Sequence, residues 1–247
     1  LAKIGGQVTY QGNSGWFNPE LLKIVLDKMM NNAHVEVLFN TEVADYSTGL
    51  LSPCNDKIYI NNISLISNNK LSVSIGAKYF VDATGNCEFS KKINCEFIEN
   101  NSEFQPMSLR FLMSGVDCKK FADWIYEFDK DREVTTVQYT GEQVHFSTAY
   151  TWDTGKHWAL APFFDKAVEE GTLKDEDRNY FQVFTVAGMP GTVAFNCPRV
   201  VQNLNPNDSK DVSKALITAR EVILRLSNFC KKYLAGFEHA FISNISD

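Results

Sequence analysis

Stretches in which apolar and polar residues alternate one by one dominate this chain, and only a few stretches with helical spacing interrupt them. Val35-Glu-Val-Leu-Phe-Asn40 alternates, as do residues 56–62, about 63–67 and 71–75. Asn68-Asn-Lys70 provides a turn within this group, which reads as a β-meander. A further strand is expected over residues 77–84, where Tyr79, Phe80 and Val81 give way to Ala83, Thr84 and Gly85. Later strands are expected at Met107-Ser-Leu-Arg-Phe-Leu-Met113, at 134–140 and 144–152 around Gly141-Glu142, at Phe181 to Ala187 and at Thr192 to Asn196.

The helical stretches announce themselves through their ends. Asn18 can cap, Pro19 suits the first helical position, and Glu20 favours the positive end of the helix. Leu21, Leu22, Val25, Leu26, Met29 and Met30 then recur on one face. Asp117 can cap a second helix carrying Phe121, Trp124, Ile125 and Phe128 on one side. Residues 162–171 read as a short helix. A long one is expected from a cap at Ser213 to Gly236, which suits a left-handed stop. Strands mixed with helices in this order imply a fold between α/β and α+β.

The chain of 247 residues is 44% hydrophobic and 13% aromatic, enough for a packed core and unlike a disordered chain. Its 24 basic and 30 acidic residues leave a net charge of -6, and no basic block interleaves with aromatics, which argues against nucleic acid as a partner. No apolar run approaches a membrane span. The six cysteines form no C-x-x-C pair and the four histidines show no ligand spacing, so no metal site is expected and a reduced, cytoplasmic setting fits. P-loop, G-x-S-x-G, H-E-x-x-H and G-x-G-x-x-G patterns are all absent.

A family resemblance rests on several motifs in order: Phe17-Asn-Pro-Glu-Leu-Leu-Lys23, Val81-Asp-Ala-Thr-Gly-Asn86, Gln105-Pro-Met-Ser-Leu-Arg-Phe111, Val193-Ala-Phe-Asn-Cys-Pro-Arg199 and Gly236-Phe-Glu-His-Ala-Phe241. This succession, covering nearly the whole chain, resembles the bacterial FAD-dependent oxidoreductases of the glutathione-reductase-like superfamily. The resemblance implies a partial FAD-binding domain over 1–98, made of strands, the β-meander and a helix. It implies an antiparallel substrate-type domain over 99–204, and a long helix with a terminal strand leading back over 205–247. In such proteins a parallel sheet binds FAD at its carboxyl ends. Glu42 and Val43 then correspond to backbone meeting the adenine, and Ala83, Thr84 and Gly85 to backbone passing beside the adenylate half.

The resemblance further implies a G-x-G-x-x-G segment before Leu1 and a flavin-contacting segment after Asp247. The chain by itself is then expected to be an inactive fragment that holds FAD weakly if at all. Asn86 stands where the family usually has Asp. Arg110 and Arg199, with Asn196 beside them, are the charges expected to orient a carboxylate-like small-molecule substrate, because a guanidinium can hold two oxygens at once. An ordinary reading of the same two arginines is a salt bridge or a solvated strand end. Tyr139, Tyr150 and His157 have the chemistry of proton donors, but no catalytic acid or base is assigned. Sheet edges that a missing segment would cover imply self-association into homo-oligomers. The alternative function is a binding or interaction module without a redox role, which the missing phosphate-binding loop would explain.

Overall fold

The caps dictate where the helices begin. In the computed structural model, which describes residues 1–49, 59–68, 70–97, 105–151, 157–200 and 203–246, the first helix α1 spans Pro19–Asn32. Asn18 Oδ1 accepts from the backbone N–H groups of Glu20 (2.9 Å) and Leu21 (3.2 Å), so two of the helix's orphan donors are satisfied. Helix α2 is short, Glu88–Lys92, and α3 spans Cys118–Phe128. At α3 the Asp117 carboxylate accepts from Lys120 N–H at 2.9 Å, as expected. Helix α4 runs Ala161–Glu169 and α5 runs Ser209–Tyr233. The expected cap at Ser213 is thus corrected. Asp208 caps instead, accepting from Lys210 and Asp211 N–H at 2.8 and 3.1 Å, while the Ser213 hydroxyl donates back to Ser209 C=O.

Two compact units result. Residues 1–27 and 103–247 form one, and residues 28–102 the other. The larger unit holds strands β1 (Gln7–Tyr10) and β2 (Asn13–Phe17), a hairpin. It also holds β6 (Met107–Ser108), β7 (Phe111–Ser114), β8 (Thr135–Thr140), β9 (Gln143–Thr151), β10 (Tyr180–Thr185), β11 (Thr192–Phe195), β12 (Arg199–Val200) and β13 (Phe241–Ile245). Six of these form one antiparallel sheet in the order β13-β7-β11-β10-β9-β8, and β6 pairs β12. One row across the sheet runs Phe111↔Phe195↔Val183↔Thr148. All four are buried, and Phe111 stacks on Phe195 with ring centroids 4.3 Å apart. Helix α5 lies over this row through Phe229, which meets Phe164 of α4 and Phe181 of β10. Phe121 of α3 closes the core against Phe146 and Phe237. The opposite sheet face carries Gln182 and Phe184, and Trp16 of the hairpin stands edge-on to Phe184 and donates to Thr185 C=O at 2.8 Å.

The smaller unit is an antiparallel meander of β3 (Thr41–Thr48), β4 (Ile60–Ser67) and β5 (Lys70–Gly76) with α2. Its buried apolar residues are Leu65, Phe89 and Ile93, and Tyr46 meets Phe89 at right angles. The stretches expected at about 63–67 and up to residue 62 merge into β4, and residues 50–58 lie outside the described ones. Two further expectations are corrected. Residues 35–40 and 77–84 are not strands, and every pairing among the described residues is antiparallel. A strand exists by its hydrogen-bonded neighbour, and no ladder partner lies beside either stretch among the described residues. Their apolar side chains stay exposed, Phe39 at 71%, Tyr79 at 87% and Val81 at 88%.

Candidate functional site

In the larger unit the sheet brings Arg110, Asn196 and Arg199 to one place. Arg110 lies between β6 and β7, Asn196 directly follows β11, and Arg199 opens β12 opposite Ser108. Leu109 N–H donates to Pro198 C=O at 3.3 Å, which ties the two approaching chains together. Arg110 Nε donates to Asn196 Oδ1 at 3.0 Å. Asn196 Nδ2 donates to Gln182 Oε1 at 3.0 Å and reaches the Tyr180 hydroxyl at 3.5 Å. Tyr180 O–H donates to the same Gln182 Oε1 at 2.6 Å. The Arg199 guanidinium lies over the Tyr180 ring, its carbon 3.9 Å from the centroid, which is a cation–π contact. Burial pushes the Tyr180 phenol up, opposed by the Asn196 hydrogen bond and by the charges of Arg199 and Arg110. Among the described residues neither arginine forms an ion pair with a carboxylate.

Tyr180 and Gln182 were not singled out by the sequence. Their signal was present, since Gln182 is a polar residue within the apolar run Tyr180-Phe-Gln-Val-Phe-Thr185, and in a strand it must share a face with its second neighbours. Of the other tyrosines and histidines with proton-donor chemistry, Tyr139 hydrogen-bonds Asp123, Tyr150 is buried and stacked on Trp158, and His157 is exposed. Cys197 is buried beside Asn196, its thiol pushed up to about 12 by desolvation, so it is chemically quiet. Cys54 lies outside the described residues. Among the described residues no group of His, Cys, Asp and Glu is placed to hold a metal.

The smaller unit carries the Asp82–Ser90 turn. Asp82 Oδ2 accepts from Ser90 N–H (2.8 Å) and O–H (2.7 Å), and Oδ1 accepts from Thr84 N–H (3.1 Å) and O–H (2.7 Å). These bonds, those from Ser90 first, hold the carboxyl well below the usual carboxylate range. The Thr84 hydroxyl also accepts from Glu88 N–H at 2.9 Å, so its side chain is committed to holding the start of α2. Ala83, Thr84 and Gly85 are all exposed. Gly85 has φ +82, and a side chain there would meet nothing within 4 Å. Glu42 and Val43 are the second and third residues of β3. Glu42 is exposed, and Val43 C=O accepts from Lys92 Nζ at 3.0 Å.

Exposed residues 83–85, none with a side chain larger than that of Thr84, leave room for a flat group such as the adenylate half of FAD. A pyrophosphate needs clustered N–H donors of the glycine-rich type, and the sequence holds no G-x-G-x-x-G. Among curated proteins nothing matches this chain, and among solved structures nothing matches it. A family model described as FAD dependent oxidoreductase matches residues 2–247. With nearly its whole length matched, the chain belongs to the FAD-dependent oxidoreductase family.

Proposed function

We propose that this chain serves a flavoenzyme that moves electrons or hydride between a small organic substrate and FAD, and that residues 99–204 carry the substrate contacts. FAD, when bound, supplies the redox chemistry. Residues of this chain bind and orient. The single observation that carries the reading is the cluster of Arg110, Asn196 and Arg199, which puts two guanidinium groups, without carboxylate partners among the described residues, at one end of an antiparallel sheet. In this reading the arginines hold a carboxylate of the substrate and residues 28–98 contribute to the cofactor domain, while residues 1–27 and 205–247, expected there from the resemblance, pack with the substrate unit, where β13 pairs β7. Ala83, Thr84 and Gly85 wall the adenylate half through their backbone, with Glu42 and Val43 on the adenine side.

The test uses the flavoprotein that carries this sequence, mixed without oxygen with a panel of hydroxy and amino acids and their amide counterparts. Reduction of the flavin by a carboxylate-bearing compound, weakened by Arg110→Ala and Arg199→Ala without change in the flavin spectrum, is the expected result. Equal reduction by acid and amide would overturn the substrate assignment. The 247 residues alone are expected to bind FAD weakly and to be inactive, because no pyrophosphate loop is among them. Adding FAD to the purified chain checks this, and a stoichiometric yellow protein with submicromolar affinity would refute it.

A further inference from the structure

The hydrogen-bond polarity around Arg110 is fixed from one end. An arginine Nε can only donate. Asn196 therefore presents Oδ1 to Arg110 and, on its other side, Nδ2 to Gln182. An amide nitrogen also only donates, so Gln182 must answer with Oε1. That same oxygen takes the Tyr180 hydroxyl at 2.6 Å. Both amide oxygens are thus engaged inside the network, Gln182 Oε1 by two donors. The charged groups left over are donors: the Nη atoms of Arg110 and the guanidinium of Arg199 over Tyr180, with Nε2 of Gln182 beside them. Reversing the Gln182 amide would set two NH2 groups against each other, so the network permits no other arrangement. Gln182 lies on the sheet face away from the helices, while Tyr180 is largely buried and cannot turn away from its acceptor.

We propose that this donor-rich end of the sheet is an anion subsite that takes a small oxoanion on Arg110, Arg199 and Gln182 Nε2, and that Tyr180 is a positioning residue that keeps the Gln182 amide donors turned outward. The proposal rests on the placement of Arg110, Asn196 and Arg199 in the reading above and is independent of the flavin. A neutral ligand with the same shape gains less, because it forgoes the charge-assisted bonds to the two guanidinium groups. The protein's net charge of -6 makes such a cluster of positive charge a local exception, which favours anions only where these groups converge.

The test needs no cofactor. The purified chain is titrated with acetate, succinate and phosphate at constant ionic strength, with acetamide and chloride as controls, while side-chain N–H resonances of Arg110, Asn196 and Gln182 are followed by NMR. Saturable shifts with an oxoanion and none with the controls are expected. The organic acids and phosphate together tell a substrate carboxylate from a free phosphate as the natural ligand. Arg110→Gln should weaken binding about tenfold or more, as expected for losing a charge-assisted bond. Gln182→Glu should abolish it by placing a carboxylate between the arginines. Tyr180→Phe keeps the ring under Arg199 and removes only the hydroxyl, and it should cost roughly fivefold, a neutral hydrogen bond's worth. It should also move the Gln182 amide resonance before any ligand is added. Unchanged resonances elsewhere certify the fold of each variant. If no oxoanion binds saturably, or acetamide binds as well, the subsite is wrong whatever FAD does. If Tyr180→Phe binds like the parent chain, the positioning role is wrong.

Discussion

His145 is 3% exposed, with Nδ1 3.4 Å from the Thr185 hydroxyl and Nε2 buried without a partner among the described residues. It borders a cavity of about 170 Å³ shared with Cys118, Lys119, Glu142 and Thr185. Burial lowers its affinity for a proton. The sign follows: an unfolded chain binds that proton near pH 6.5 and the folded one only below it, so the neutral ring's contribution is complete above about 6.5 and is lost as pH falls further. The urea midpoint should drop between pH 7.5 and 5.5 by more in the parent chain than in His145→Gln, with His34→Gln, which changes an exposed ring, as control. Asp177 is a second buried group, held by Arg225 through Nε–H to Oδ2 (2.6 Å) and Nη2–H to Oδ1 (2.8 Å) and by Lys174 N–H. Asp177→Ala strands a mostly buried guanidinium and should cost about 3–5 kcal/mol in denaturant unfolding. Removing both charges with Asp177→Leu and Arg225→Met should cost less than either single change. At this scale the sequence exposed charge but not pairing. Arg110, Asn196 and Arg199 stood out as polar groups at strand ends. That Asn196 links Arg110 to Gln182 depends on β10 and β11 lying side by side, which no spacing along the chain records.

Helix starts were legible because a cap acts within three residues, as at Asn18 and Asp117. The start of α5 was misplaced because Asp208 and Ser213 both carry capping chemistry. The earlier carboxylate wins, and Ser213 bonds back to Ser209 C=O within the helix. The β8–β9 hairpin was legible too, since Gly141 supplies the positive φ of its turn between two alternating runs. Residues 35–40 and 77–84 alternate equally well and make no strand, because pairing needs a partner that local pattern cannot supply. Helix α5 ends at Tyr233 with Leu234 extended, so the expected left-handed stop at Gly236 is corrected, and the turn after the helix gives a sharp test of element geometry. Gly236 has φ +88, and a Cβ there would lie 2.6 Å from Asp117 C=O and 3.0 Å from Phe121 N, at the start of α3. Strain and backbone displacement together should make Gly236→Ala cost on the order of 1–3 kcal/mol. Gly141→Ala, also at positive φ but with nothing within 4 Å, should cost less, and the difference between the two midpoints reads the clash itself.

Stability should be distributed unevenly over the whole molecule. The larger unit buries a continuous core that includes Phe111, Phe146, Phe181, Phe195 and Phe229, whereas the smaller unit buries Leu65, Phe89 and Ile93. Local opening is cheapest where few apolar contacts must break, so amides of β4 should exchange well before those of β9 and β10. The smaller unit also leaves Val35, Val37, Phe39, Tyr79 and Val81 exposed, and strands β3 and β5 form the open edges of its sheet. Exposed apolar residues beside open edges favour association with another copy, since both apolar burial and ladder hydrogen bonds are then gained. Light scattering of the purified chain should therefore show mass rising with concentration. Tyr79→Lys with Val81→Lys removes apolar surface and adds like charge to each copy while touching no buried residue, and should shift the same measurement toward the monomer. A mass that stays monomeric at high concentration in the parent chain would show that these surfaces do not drive association. A mass that rises equally in the double variant would move the contact from residues 79–81 to the sheet edges or the 35–39 stretch.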